Sequence, residues 1–248
     1  QLTPGTLRTQ CKVLSLSPTR HGHWQLYVMN GGNNRLAHEK LLAKAVVLAV
    51  PAAAAAQLLA PFASSAAQIL AQIPYAPIAS VALGYARDRV GHPLDGFGFL
   101  VPRRERVPLL GALFSSTLFA ERAAADQVLL TAFIGGTTNP AILEKTDSIL
   151  LRQVEGDLAH CLRTTAPADF VYLTRYTAAI PQYTLGHLDR LQQLDTQLAP
   201  FAGLYLRANW RDGVSVADCV RNGERLATQI ASHYATLSDG SAEQKQGG

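Results

Sequence analysis

Four apolar runs between residues 78 and 136 constrain the fold of this chain more than any other feature. Each run is strand-like in length and pattern, and loops of roughly ten residues separate one run from the next. The runs are "IASVALGYA", "GFGFLV", "PLLGALFSS" and "QVLLTAFIGG". Because antiparallel neighbours are joined by short connections, we predict an antiparallel, meander-like sheet.

The residues before this sheet predict a second layer of structure. Residues 11–29 contain two β-rich runs around a polar turn, which predicts a hairpin. The run "AKAVVLAVP" (43–51) is continuously apolar after Lys44, so we expect a strand covered on both faces within a sheet larger than the first fifty residues can supply. Residues 52–73 favour helix, with a break at Pro61.

The residues after the sheet alternate between helical and strand-like patterns. The clearest helix has apolar residues at helical spacing on one face and charged residues on the other. The remaining segments are assigned by the same criteria, and the polar end of the chain is expected to be disordered. The predicted elements are a helix at 139–162, a strand at 170–180, a helix at 185–198, a strand at 203–208, a helix at 214–234 and a disordered tail at 236–248.

Composition excludes several classes of function. The net charge of +4 comes from scattered Lys and Arg, so no nucleic-acid partner is predicted. Apolar residues make up 48% and charged residues 16%, which suits a protein that covers an apolar ligand. Three distant cysteines favour a reducing compartment, and His21 and His23 lie in a polar surface turn, so no metal site is predicted. The longest apolar run, 45–56, is too short to span a bilayer.

The stretch "NWRDGVSVADC" (209–219) predicts a strand, a glycine turn and a helix. The first backbone N–H groups of a helix have no partner inside the helix and face electron-rich ligands. Gly213 would allow close approach of a ligand to the backbone, and Ser215 could add a hydroxyl. On its own this pattern is weak, because any α/β protein has several such turns.

Side chains that could carry chemistry by themselves are poorly supported. Asp95, Glu105 and His187 are acid–base candidates, but each is better interpreted as a surface or capping group. No Ser, His and Asp set has the spacing of a nucleophilic site. We therefore predict no catalytic residue, and a cofactor that brings its own reactivity fits better.

A series of motifs resembles one family of flavoenzymes over about Cys11 to Ile230. They are "PYAPIASVALGY", "PLDGFGFLVPRRE", "LLGALFSSTLF", "LLTAFIGGTTNPAI", "AAIPQYTLGHLDRL" and "GLYLRANWRDGVSVADCVRNGERLA". Their order and spacing are similar to those of the oxygen-dependent, FAD-containing protoporphyrinogen oxidases of the flavin amine oxidase superfamily. "GFGFLVP" and "IPQYTLGH" are specific to the porphyrinogen-oxidising branch, whereas "AVVLAVP" and the terminal glycine turn are shared with amine oxidases and carotenoid desaturases.

The resemblance implies an α/β fold with an α+β substrate domain. That family begins with a Rossmann unit carrying GxGxxG, which this chain lacks, so we expect the carboxyl-terminal portion of such an enzyme with the amino-terminal Rossmann segment missing. Residues 1–50 and 182–235 would form part of the FAD-binding domain. Residues 51–181 would form the substrate-binding domain of antiparallel sheet and helices.

The resemblance also implies site residues. Cys11 would contact FAD through its main chain, together with the terminal turn Gly213, Val214, Ser215 and Val216. The substrate-binding residues implied are Phe97, Leu100, Leu113 and Phe133. Three positions depart from the family: Ala208 replaces a common Gly, Arg207 a small residue and Tyr176 a frequent Trp. An added methyl at Ala208 could hinder close approach of the backbone to the flavin.

The activity implied is oxidation of protoporphyrinogen IX to protoporphyrin IX by FAD and O₂, removing six electrons and six hydrogens. Alternatives left open are coproporphyrinogen III oxidation, another flavin-dependent amine oxidase or desaturase, and a non-catalytic tetrapyrrole-binding module. The 248 residues alone are expected to be inactive and to hold FAD poorly. We expect a cytoplasmic location, with peripheral contact to the cytoplasmic face of a membrane and a homodimer left open.

Overall fold

The computed structural model describes residue 3 and residues 6–31 and 37–243 of the chain. The contacts divide the chain into two compact units. Unit 1 comprises Gln1–Pro74 and Gln182–Gly248, and unit 2 comprises Tyr75–Pro181. The strands are β1 (Cys11–Pro18), β2 (Trp24–Asn30), β3 (Ala37–Ala43), β4 (Val46–Leu48), β5 (Tyr75–Ala86), β6 (Gly98–Leu100), β7 (Leu109–Leu113), β8 (Gln127–Gly135), β9 (Phe170–Pro181) and β10 (Leu204–Leu206). The α-helices are α1 (Ala52–Leu59), α2 (Ser64–Ala71), α3 (Ser115–Leu118), α4 (Asp147–Leu162), α5 (His187–Leu198) and α6 (Val216–Glu243).

Unit 1 contains two separate sheets. In the first, β1, β2 and β3 pair antiparallel in that order, which confirms the predicted hairpin. β3 was not predicted, because "AHEKLLA" groups three polar residues together and lacks a clear alternation. In the second sheet, β4 and β10 form a two-stranded parallel pair.

The prediction that both faces of β4 are covered is wrong at its central residue. Val46 and Leu48 are buried, but Val47 between them is 43% exposed. Successive side chains of a strand point to opposite faces of the sheet. The face that carries Val47 opens onto a cavity in unit 1 instead of onto a packed layer.

The helices α1, α2 and α5 pack together beside these sheets. The predicted break at Pro61 is confirmed, because α1 ends at Leu59 and α2 begins at Ser64. Phe62, between the two helices, has its ring centroid 5.5 Å from that of Trp24. These contacts group residues 51–74 with unit 1, whereas the prediction placed them in the substrate-binding domain. The roles of the two domains remain predictions.

Unit 2 is built on a five-stranded antiparallel sheet in the order β6-β7-β8-β5-β9. The antiparallel prediction is confirmed, but only β6, β7 and β8 form a meander, since β5 lies between β8 and β9. One sheet face carries Ala79, Val81 and Leu83 of β5, and these belong to the same buried cluster as Leu150 and Val154 of α4. Unit 2 therefore has a hydrophobic core of its own.

Two predicted helix boundaries differ from the structure. The helix predicted from residue 139 begins instead at Asp147, after a 3₁₀ turn at Pro140–Glu144, because Thr146 has an extended backbone. The tail predicted to be disordered from 236 is helical to Glu243 as the end of α6. Each residue added to an existing helix gains a backbone hydrogen bond, which favours this extension. Residues 244–248 of the predicted tail lie outside the described residues.

Candidate functional site

The unit 1 cavity has a volume of about 940 Å³ and mostly apolar walls. Its walls come from the end of β4, the turn after β10 and one face of α6. The residues that line it are Val47, Ala49, Val50, Pro51, Arg207, Ala208, Asn209, Val214, Val216, Cys219, Val220, Gly223, Leu226, Ala227, Ile230 and Ala231. A planar, largely apolar group could therefore lie against main-chain and aliphatic surface in this cavity.

Gly213 gives the turn before α6 its shape. Its φ of +133° lies in a region that residues with a side chain rarely adopt. A Cβ at this position would lie 2.5 Å from the Cβ of Asp218. Asp218 cannot easily move aside, because its Oδ2 accepts a hydrogen bond from the Ser215 hydroxyl at 2.6 Å and its N–H donates to the same hydroxyl at 3.1 Å. The backbone here therefore requires glycine.

Two side chains of the turn fix it to the rest of unit 1. The Trp210 indole is fully buried, and its Nε1–H donates to the Val50 carbonyl oxygen at 3.0 Å. The mostly buried Arg211 guanidinium donates to both carboxylate oxygens of Asp195, at 2.6 and 2.7 Å. Neither the Trp210 nor the Arg211 side chain is among those that line the cavity.

A tyrosine and a histidine contact the same turn. The Tyr183 hydroxyl donates to the Asn209 carbonyl oxygen at 2.7 Å and accepts a hydrogen bond from the Gly213 N–H at 2.9 Å. The Tyr183 ring stacks on the His187 imidazole, with centroids 4.3 Å apart and an interplanar angle of 13°. Burial lowers the pKa of His187, an effect that the nearby main chain of Trp210 partly opposes.

The unit 2 cavity has a volume of about 530 Å³ and lies on one side of the antiparallel sheet. Ile78 and Ser80 of β5 line it, and they alternate along the strand with the core residues Ala79 and Val81. The cavity is therefore on the sheet face opposite to α4. The residues that line it are Ile78, Ser80, Phe99, Leu100, Leu110, Gly111, Ala112, Leu113, Phe133, Tyr176 and Ile180.

Three of the four predicted substrate residues meet in the unit 2 cavity: Leu100, Leu113 and Phe133. Strand pairing contributes to this, because Gly111 of β7 is opposite both Phe133 of β8 and Leu100 of β6. The fourth, Phe97, is not among the lining residues and is 69% exposed. It precedes β6, so the alternation of that strand does not direct its side chain. The binding roles of all four remain predictions.

The five predicted FAD-binding residues do not all meet at one cavity. Val214 and Val216 line the unit 1 cavity, and Gly213 and Ser215 belong to the same turn. Cys11 begins β1 and is not among the lining residues. The role assigned to these five residues remains a prediction.

Several cavity residues were not singled out from the sequence. In α6, apolar residues recur at helical spacing along the wall of the unit 1 cavity, and Val216 and Val220 are exposed there. In β9, Tyr176 and Ile180 line the unit 2 cavity. The α6 stripe was visible as periodicity, but periodicity alone does not separate a cavity wall from a core face.

Neither cavity offers an acid–base pair. The residues that line the unit 2 cavity include no charged side chain, and its only side-chain polar groups are the hydroxyls of Ser80 and Tyr176. Among the described residues, no group of three or more His, Cys, Asp or Glu is placed to hold a metal ion. The arrangement suits binding and positioning of apolar groups, with reactivity supplied by a cofactor.

Of the helices within the described ranges, none is both long enough and apolar enough to cross a bilayer. The longest, α6, carries Asp218, Arg221 and Glu224 in its first turns.

The sequence comparisons point to one family. The family model for flavin containing amine oxidoreductases matches residues 1–231. The chloroplastic protoporphyrinogen oxidase of Oryza sativa subsp. japonica is 37% identical over 201 residues, which cover 77% of this chain and 38% of that protein. The coproporphyrinogen III oxidase of Bacillus subtilis (strain 168) is 26% identical over 192 residues, which cover 77% of this chain and 40% of that protein.

Solved structures agree with this family. A candidate protoporphyrinogen oxidase from Exiguobacterium sp. 255-15 matches with a TM-score of 0.70 and 26% identity, over 89% of this chain and 46% of that one. The cyclohexylamine oxidase of Brevibacterium oxydans IH-35A matches with a TM-score of 0.64 at 17% identity, over 90% of this chain and 48% of that one, which shows a shared fold alone.

These matches confirm the predicted resemblance and the predicted α/β flavin amine oxidase fold. The chain spans 34% to 48% of the length of the curated relatives given by the sequence search. FAD is the cofactor that the family match supports. The chain belongs to the family of flavin containing amine oxidoreductases.

Proposed function

We propose that the protein to which this chain belongs oxidises protoporphyrinogen IX, with FAD as cofactor and O₂ as the final acceptor. The observation that carries the proposal is the unit 2 cavity, where Leu100, Leu113 and Phe133 come together on an apolar sheet face. The 37% identity to the rice protoporphyrinogen oxidase supports the same substrate class.

The unit 2 cavity suits a broad apolar ring system. Its volume of about 530 Å³ is typical of a small-molecule site. Phe133 offers an aromatic face, and Leu100 and Leu113 offer aliphatic surface from neighbouring strands. Burial of apolar surface contributes about 25 cal/mol per Å², so the apolar ring system of a porphyrinogen could bind against these side chains.

The unit 1 cavity fits a flavin by its own features. Its aliphatic walls suit a planar ring, and Gly213 allows the backbone turn that borders the cavity, because a Cβ there would collide with Asp218. Gly213, Val214 and Val216 would hold FAD, with main-chain groups as the polar contacts. FAD, when bound, supplies a two-electron acceptor for substrate oxidation. The residues of this chain would bind and orient it and exclude water from its apolar face.

Two alternatives make different predictions. Coproporphyrinogen III is favoured by one observation, the match to the coproporphyrinogen III oxidase of Bacillus subtilis. The aromatic pair that flanks the flavin in amine oxidases has one candidate in the turn, Trp210, but its indole is buried against Val50 and does not line the cavity. A non-catalytic module would bind a tetrapyrrole without retaining flavin.

The test measures porphyrin formation by the full-length protein supplied separately with protoporphyrinogen IX and coproporphyrinogen III under air. We expect turnover of the first with stoichiometric FAD. Turnover of coproporphyrinogen III alone would reassign the substrate. Tight porphyrin binding by a protein that retains no FAD would identify a non-catalytic module and overturn the proposal.

The unit 2 site is tested by Phe133→Ala in the same protein. Loss of the ring should weaken a porphyrin-analogue inhibitor by about tenfold, because an aromatic contact surface is removed. Phe119→Ala is the matched control, since Phe119 is an exposed phenylalanine of unit 2 that does not line the cavity. Equal inhibition of wild type and Phe133→Ala would remove Phe133 from the site.

The cellular location and the oligomeric state of the protein are also proposals. The rice relative is named chloroplastic, and another plant relative mitochondrial. Our expectation of a cytoplasmic location, with peripheral membrane contact and a homodimer left open, remains a prediction that fractionation and sedimentation of the full-length protein would check. We also keep the prediction that the 248 residues alone hold FAD poorly, which a stoichiometrically flavin-loaded preparation of this chain would contradict.

A further inference from the structure

One hydroxyl group closes the turn that borders the unit 1 cavity. The Tyr183 hydroxyl donates to the carbonyl oxygen of Asn209 at 2.7 Å and accepts from the N–H of Gly213 at 2.9 Å. It therefore joins two backbone groups four residues apart, at the two ends of the turn. Asn209 and the residue after Gly213, Val214, both line the cavity.

The ring that carries this hydroxyl is itself held in place. Tyr183 stacks face to face on His187, with ring centroids 4.3 Å apart. His187 is 4% exposed and begins α5, so its ring is fixed by the body of unit 1. Burial lowers the pKa of His187, although the nearby main chain of Trp210 partly opposes this, so burial alone does not account for a histidine here.

Burial does not account for the tyrosine either. Tyr183 is 44% exposed, so its ring contributes less apolar burial than a core residue would, and water could satisfy its hydroxyl. The two hydrogen bonds instead orient the Tyr183 ring and attach its hydroxyl to the backbone of the turn. Their combined effect is to restrict the distance between Asn209 and Gly213, and so the path of the backbone at the cavity edge.

We propose that Tyr183, oriented by its stack on His187, is a positioning residue that sets the backbone from Asn209 to Val216 for the binding of FAD. The inference rests on the proposed function, because it takes FAD as the ligand of the unit 1 cavity. Other contacts hold the turn through the side chains of Trp210 and Arg211. Asn222 also contacts the backbone of the turn, because its side-chain amide donates to the Asp212 carbonyl oxygen at 3.0 Å. Tyr183 differs from these contacts because it joins Asn209 to Gly213.

The test is Tyr183→Phe in the full-length protein. This change keeps the ring and its stack but removes both hydrogen bonds to the turn. Hydrogen–deuterium exchange in a peptide covering 208–217, measured without added FAD, should accelerate by about fivefold or more, because the Gly213 amide loses its acceptor. The dissociation constant for FAD, from equilibrium dialysis, should rise about five- to tenfold.

Two controls separate positioning from stability. Tyr172→Phe removes a hydroxyl from an exposed tyrosine of β9 and should change neither measurement. His187→Phe keeps an aromatic ring under Tyr183 and should resemble wild type, whereas His187→Ala should accelerate exchange at 208–217 much as Tyr183→Phe does. A calorimetric melt of each variant checks that the fold is intact.

The outcomes are distinguishable. Unchanged exchange at 208–217 in Tyr183→Phe would overturn the inference, as would faster exchange with unchanged FAD affinity. Faster exchange in a protein whose wild type binds no FAD would leave Tyr183 as the organiser of the turn but refute its role toward a flavin, and would refute the proposed function with it. Equal behaviour of His187→Phe and His187→Ala would show that the stack does not orient the tyrosine.

Discussion

The two cavities are built from different parts of the chain. The unit 1 cavity is bordered by a turn whose shape depends on Gly213 and on backbone hydrogen bonds to Tyr183. The unit 2 cavity is lined by side chains that project from one face of a regular sheet, such as Leu113 and Phe133. A site made from backbone depends on local conformation, whereas a site made from side chains depends on residue identity and register.

This difference bears on the two departures from the family pattern that lie in unit 1. Arg207 and Ala208 stand where small residues are common in the family that the chain resembles, and both line the cavity. The Arg207 guanidinium forms an ion pair with Asp212, which engages its charge inside the turn. The backbone path can therefore persist although the side chains differ.

The largest expected effect tests whether the sheet supports the side-chain site. Leu130 of β8 is fully buried in the core of unit 2. Leu130→Ala should lower the free energy of unfolding of this unit by about 2–5 kcal/mol, because it removes buried surface and leaves a cavity. Denaturant titration followed by exchange in peptides of 75–181 measures it. Leu42→Ala, at an exposed leucine of β3, should change the value by less than about 0.5 kcal/mol.

The next test addresses the backbone site. Gly213→Ala should cost about 1–3 kcal/mol in backbone strain and raise the dissociation constant for FAD by about tenfold, while porphyrin-analogue inhibition stays unchanged. Gly156→Ala is the matched control, because a Cβ at that helical position meets open space. FAD affinity equal to wild type in Gly213→Ala would remove the distinction between the two cavities.

A smaller effect is expected in the core of unit 2. The Tyr85 hydroxyl is buried and has no hydrogen-bond partner among the described residues, and burial raises the pKa of Tyr85. Tyr85→Phe should therefore raise the free energy of unfolding of unit 2 by about 1 kcal/mol. Calorimetry would detect this, with Tyr172→Phe as the exposed control. A clear loss of stability would mean that the hydroxyl is paired.

The smallest expected effect is a difference between the two units in how their stability depends on pH. Burial lowers the pKa of His187 in unit 1, so the unfolded chain protonates first, near about 6.5, and stability is lost as the pH falls below that value. Burial raises the pKa of Asp157 in unit 2, so its contribution is complete at low pH and is lost as the pH rises through the folded-state pKa.

Exchange rates at pH 7.5 and 5.5, corrected for intrinsic chemistry, measure this difference. Peptides around residues 183–198 should become less protected at the lower pH, whereas those around 147–162 should not. His187→Phe should remove the effect in unit 1. Loss of protection in unit 2 on the same acidification would contradict the prediction.

Much of the fold was predictable, because local rules determine it. Pro61 ends a helix whatever surrounds it, and the strand runs of unit 2 carry their own alternation. The polar strand β3 was not predictable, because pairing with β2 and not its own pattern makes it a strand. The exposure of Val47 was missed for a similar reason, since burial depends on which layers are present.

The candidate sites were predictable only where a residue lies within a regular element. Leu100, Leu113 and Phe133 share a cavity because strand register brings them together. Phe97 does not join them, since it precedes β6 and no periodicity fixes its direction. Tyr183 was quoted in the sequence only as part of the motif "IPQYTLGH", with no role assigned to it. Its contacts with Asn209 and Gly213 join segments 26 and 30 residues apart, which spacing alone cannot show.

Both tryptophans of the chain, Trp24 and Trp210, lie in unit 1. Both are buried, so their indole emission reports the packing of that unit and is silent about the antiparallel sheet of unit 2. Trp210 belongs to the turn that borders the proposed flavin cavity, so a yellow cofactor bound there would quench its emission by energy transfer. The native chain thus carries an optical probe of one unit that needs no label.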